Sequence, residues 1–224
     1  MSKKTIHLSK ILKFFALPEN KLISELRTEL RRERDRLDGS DEGGMDFYTP
    51  FWADAKDHVK GKAQLTELTT IRVEASGQRK NLYPKLCAGF LKWFDGLKRA
   101  TNETVGWSDA KFHKHVEFSD MALVVKVDNL IGLEIGKDKF RLIYPYFAKA
   151  PPLSEQWARV GLWMMTEAFP DLSIVEMDVL DVLRGTGFRG ANLSLKGNEE
   201  FLFRSRYEEI LQMWNELRPE YGLP

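Results

Sequence analysis

Between residues 123 and 135 apolar side chains recur at every second position (Leu123, Val125, Val127, Ile131, Leu133, Ile135), while Lys126, Asp128 and Glu134 take the intervening ones. Period two sends successive side chains to opposite faces of a sheet, so the stretch predicts one strand with a core side and a wet side. A polar turn, Gly136-Lys137-Asp138-Lys139, leads into the β-branched and aromatic run of residues 140–147, which predicts a hairpin. Pro145 lacks an N–H for a ladder, which puts the second strand at an edge or ends it there.

After Pro151-Pro152 the period changes. Trp157, Val160, Gly161, Met164 and Ala168 recur every three to four residues, with Leu162, Trp163, Met165 and Phe169 around the remaining circumference. The spacing predicts a helix buried on more than one side, capped by Ser154, with Glu155 reaching Arg159 one turn on, and stopped by Pro170. Residues 174–183 form another apolar run, closed by Arg184-Gly185-Thr186-Gly187. Helical stripes also lie at Leu82, Leu86, Phe90, Trp93 and Leu97, where Gly89 permits close approach, and at Phe203, Tyr207, Ile210, Trp214 and Leu217, with Asn198 as the cap. One further strand is expected from residues 63–76 or 112–118.

At the N-terminus, Ile11, Leu12, Phe14 and Phe15 predict a short helix, residues 17–20 a break, and Leu22, Ile23, Leu26 and Leu30 a second helix to about Arg36. The pair reads as a helical hairpin or a helix-turn-helix. The Gly- and Asp-rich stretch 38–44 is the best boundary, dividing an N-terminal appendage, 1–44, from an α/β (α+β) core, 45–224.

A chain of 224 residues, 43% of them hydrophobic, can bury a sizeable core. Net charge is +1, which excludes a global electrostatic case for nucleic acid or an anionic membrane. Locally the balance differs: residues 1–36 hold ten Lys or Arg against five Asp or Glu. Arg27, Arg31, Arg32, Arg34 and Arg36 can lie along phosphates, or pair with the interleaved Glu25, Glu29, Glu33 and Asp35. The lone Cys87 fits a reducing cytoplasm, and no apolar run is long enough to cross a bilayer or to serve as a secretory leader.

Chemistry is sparse. His113 and His115 place two imidazoles on one strand face without a third ligand nearby in sequence. Residues 185–190 have the glycines of a phosphate loop but not its terminal Lys-Ser/Thr, and read as a turn. Asp178 and Asp181, three apart on a strand, face opposite sides and form no carboxylate pair. The aromatics from Phe47 to Trp52 beside Asp46 form either a partner-binding patch or a packing arm.

The order helix, antiparallel meander, helix, strand resembles the core of the PD-(D/E)XK nuclease superfamily, in particular RecB-type nuclease domains. The resemblance implies an Asp at the middle strand, matched by Asp128, and an acidic-x-Lys tripeptide on the next strand, together holding Mg²⁺. Tyr144-Pro145-Tyr146 stands where that tripeptide belongs, and Gln156 lies near the helix position of a supporting Gln. As letters the tripeptide occurs at Asp54-Ala55-Lys56, with Asp46 upstream, which defines an alternative metal-dependent nuclease centred on Asp46, Asp54, Lys56 and Asp128. The first expectation is a nuclease-like core without catalysis or cofactor, which binds nucleic acid through Lys126, Arg141, Tyr144, Arg27, Arg31 and Arg34. The second is a protein-interaction subunit.

Overall fold

The computed structural model describes residues 4–40 and 47–223. Two mixed sheets and seven helices make an α+β fold among them. β1 (Lys4–His7) turns directly into α1 (Leu8–Ala16), which α2 (Glu19–Leu37) follows as the second arm of the helical hairpin. α3 (Thr49–Val59) and α4 (Leu65–Ala75) precede the long α5 (Tyr83–Arg99). The strands β2 (Val105–Trp107), β3 (Lys114–Phe118), β4 (Leu123–Val127), β5 (Ile131–Ile135) and β6 (Lys139–Tyr146) come next. α6 (Glu155–Ala168), β7 (Met177–Asp181), β8 (Thr186–Arg189) and α7 (Glu199–Leu217) complete the order.

The larger sheet runs β2-β5-β6-β7-β8. β2, β5 and β6 are an antiparallel meander, α6 crosses over, and β7 returns parallel to β6. Within this sheet the order is helix, meander, helix, strand, with α5 as its first helix, but β3 and β4 of the other sheet are inserted between β2 and β5, and Asp128, expected on the middle strand, falls in the turn that precedes it. Of the two stretches expected to supply a further strand, residues 63–76 contain α4, whereas residues 112–118 hold β3, which lies in the other sheet; the first meander strand is the three-residue β2.

The period-two stretch is two strands, not one. Asn129 takes φ +62 and turns the chain, so β4 belongs to a second sheet, β1-β4-β3, while β5 stays in the larger one. Val125 and Val127 pack into one core with α1, α6 and α7, whereas Ile131 and Leu133 pack into the other with α3 and α5. β6 also lies inside its sheet rather than at an edge. Pro145 is tolerated because antiparallel pairing with β5 stops at Ile143, two residues earlier.

Helix termini follow the expected chemistry in part. Ser154 accepts from the Trp157 N–H at the start of α6. Asn198 makes no side-chain cap; the Glu199 carboxylate instead accepts from the Lys196 and Gly197 N–H groups. Arg159 turns from Glu155 to Glu199, 3.5 Å away and buried. Gly89 performs the close approach its lack of a Cβ allows: a methyl there would stand 2.1 Å from the Val182 carbonyl oxygen.

The N-terminal segment joins the main core. β1 pairs in parallel with β4, and Leu8, Ile11, Leu12 and Phe15 of α1 share a hydrophobic cluster with Tyr144, Tyr146, Val160 and Phe203. Among the described residues, no helix is long and apolar enough to cross a membrane.

Candidate nucleic-acid interface

The three-stranded sheet buries only one face. Leu123, Val125 and Val127 are fully buried, so alternation turns Val124 and Lys126 of β4 outward. The register sets His7 of β1 and His115 of β3 on either side of Lys126, and side chains directly opposite in a ladder share a face. His7 and His115 are exposed, and the His113 ring lies 4.9 Å from that of His115. Three imidazoles and an ammonium thus stand on one open β surface.

Asp128 ends this row. Its Oδ1 lies 3.0 Å from His7 Nδ1 and accepts from Asn129 Nδ2 at 3.3 Å. Lys56, on α3, is close enough for Asp128 to raise its pKa, but burial and the neighbouring Lys60 dominate and hold the ammonium below its usual value. Lys60 in turn sits 4.4 Å over the Trp107 ring. The Asp128 corner therefore joins the histidine row to Lys56 of α3 and to Lys60, which caps that helix.

A metal does not fit this corner. Magnesium takes several oxygen ligands, yet Asp128 faces an imidazole, an amide and a lysine, with Tyr144 behind it. The Ser9 N–H donates to the Tyr144 hydroxyl at 2.7 Å, and burial pushes that hydroxyl well above the usual phenol range. Tyr146 is fully buried too and donates to the Pro151 carbonyl at 2.9 Å. Among the described residues no three His, Cys, Asp or Glu side chains converge as metal ligands.

Of the alternative acids, those within the described residues have other partners. Asp54 is buried on α3, where Arg72 donates to both its oxygens at 2.9 Å. Its tripeptide lies on a helix, so Asp54 and Lys56 point apart. Asp46 lies outside the described residues. Asp178 and Asp181 face opposite sides of β7: Asp181 is held by Leu153 N–H and Arg184, Asp178 lies beneath α5 beside Arg141, Arg189 and Trp93.

The expected contact residues separate into two groups. Lys126 lies on the open face, but Tyr144 is 2% exposed and Arg141 9%, so both are corrected from surface contacts to core residues. Both sit on β6, which is covered on both sides. Arg27 pairs with Glu220 at 3.3 Å, Arg34 with Asp35 at 3.0 Å, and Arg31 donates to the Arg27 carbonyl at 3.4 Å. The helix face is largely self-paired. Phe51 and Trp52 are buried against α5, with the Trp52 indole donating to the Asn129 carbonyl, so this aromatic segment packs rather than presents itself.

His7 escapes a reading of the sequence because β1 is four residues long and finds its partner more than a hundred residues away. No family model and no curated protein matches this chain.

Proposed function

We propose that this chain is a non-catalytic nucleic-acid-binding protein built on a nuclease-like core, which contacts its ligand through the open face of the β1-β4-β3 sheet. The observation that carries the reading is the register row His7, Lys126, His115. Imidazole N–H groups and an ammonium donate to phosphate oxygens, and exposed flat rings stack on unpaired bases. Lys56 and Lys60 extend the cationic side past Asp128.

The likeness to RecB-type nuclease domains rests on the sequence of α5, the β2-β5-β6 meander, α6 and the parallel β7. Against hydrolysis stands the replacement of the acidic-x-Lys pair by Tyr144 and Tyr146, both packed beneath α1 and the segment before α6. A phenol with pKa near 10 neither grips magnesium nor supplies a cation at neutral pH.

Electrophoretic shift series with single-stranded DNA, duplex DNA and RNA test this. Binding should weaken with salt at a log–log slope of about −2 to −3, the value for neutralising three or so phosphates. Lys126→Glu should abolish the shift, and added Mg²⁺ should leave the nucleic acid intact. No shift at low salt with any of the three, or cleavage that disappears in Asp128→Ala, contradicts the proposal.

A further inference from the structure

A second feature lies on helices rather than sheets and is independent of the histidine face. A groove of about 400 Å³ runs between α2 and α7. Its floor is apolar, made by Ile23 of α2 and by Met213 and Leu217, one turn apart on α7. Its walls are acidic: Glu19 at the start of α2, Glu209 and Glu216 two turns apart on α7, and Glu220 in the turn that follows.

The charge of these walls is only half answered from within the molecule. Glu209 pairs with Arg206 at 2.6 Å and Glu220 with Arg27 at 3.3 Å, while Glu216 accepts from the Gln212 amide and pairs with no cation among the described residues. The acids and Arg27 are mostly in water, where such pairs contribute up to about 1 kcal/mol and yield readily to a competing cation. An apolar floor between anionic walls repels nucleic acid. It complements a helix with an apolar stripe flanked by Lys or Arg, the groove-bound helix mode of peptide recognition.

We infer that the α2–α7 groove is the docking site for a basic amphipathic helix of a partner protein. This places a protein contact on the helical side of the molecule. The Phe47–Trp52 segment does not serve, because its largest rings are already spent on the core.

The probe is a dye-labelled synthetic peptide of about five helical turns, with leucines at i, i+4, i+7 and so on, and lysines elsewhere. A control peptide carries glutamates in place of the lysines. Fluorescence anisotropy with the full chain at about 0.15 M salt should show the lysine peptide binding at least tenfold tighter than the glutamate peptide. Glu216→Lys, alone and with Glu19→Lys, should weaken the lysine peptide about tenfold and strengthen the control. Lys126→Glu should change neither, with circular dichroism showing the fold intact in each variant. Equal affinity for both peptides, or insensitivity to the two charge reversals, overturns the inference. So does sedimentation showing that a second copy of this chain fills the groove and excludes the peptide.

Discussion

Asp178 is the residue whose setting has the sharpest consequence. It is fully buried, with the Trp93 indole, Arg141 and Arg189 as its polar neighbours. Burial pushes its pKa up to about 6, with Arg141 and Arg189 pulling the other way. An unfolded aspartate titrates near 3.9, so between roughly pH 4 and 6 the native state binds the extra proton. The resulting stabilisation is complete below pH 4 and lost as pH rises through 6. Asp178→Asn removes this dependence. Its stability relative to the wild type should improve by roughly 3 kcal/mol between pH 4 and pH 7.5, measured by urea unfolding; parallel profiles for the two proteins would refute the assignment. Asp54 is the contrasting case. Asp54→Ala strips Arg72 of both its bonds and should cost about 1–3 kcal/mol of stability without altering oligonucleotide affinity. A loss of affinity at full folding would instead place Asp54 in the interface.

At the scale of elements, Gly89 and β7 set local propensity against packing. Ala is about 1 kcal/mol better than Gly in a helix interior. Here a methyl would meet the Val182 and Leu183 carbonyl oxygens at 2.1 and 2.7 Å, so α5 would have to lift from the strand end. Packing should win: Gly89→Ala is expected to destabilise by at least about 2 kcal/mol, and a stabilised variant would show that α5 is not so closely seated. The close approach was legible in the sequence, as were α5, α6, α7 and the helical hairpin, because each has an apolar stripe of helical period. The β4–β5 break was not. Asp128, Asn129 and Leu130 make a three-residue turn, and Ile131 resumes on the same odd parity as Val127, so the alternation runs on unbroken while the chain changes sheet. α4 was hidden for another reason: Leu65 faces the core while Ile71 is 59% exposed, leaving no stripe to read. β2, three residues with a glycine in the middle, is too short for periodicity. Of the interface, Lys126 and the His113–His115 pair were visible as letters. Their union with His7 depends on a parallel pairing between distant segments.

On the scale of the whole molecule, the larger sheet divides two cores. α1, α6 and α7 lie on the side of Leu142, Tyr144 and Val179; α3 and α5 lie on the side of Ile131, Ile143 and Leu180. Leu8, Leu12, Leu22, Leu26 and Leu30 are fully buried in the first core. Removing residues 1–40 should therefore leave a chain that loses its near-ultraviolet dichroism and binds a hydrophobic dye, as loosened cores do; a truncated chain with sharp native spectra would make the N-terminal hairpin a separable unit. The two proposed contact surfaces follow different lines, with the histidine face at the open sheet and the acidic groove between α2 and α7. The most direct test of the central claim is chemical-shift mapping of backbone amides as a single-stranded oligonucleotide of about 12 nucleotides, within the span of one binding site, is added at low salt. The largest changes should fall on β1, β3 and β4 around His7, His115 and Lys126, with α7 unmoved. Changes centred on α2, or none at all, would contradict it.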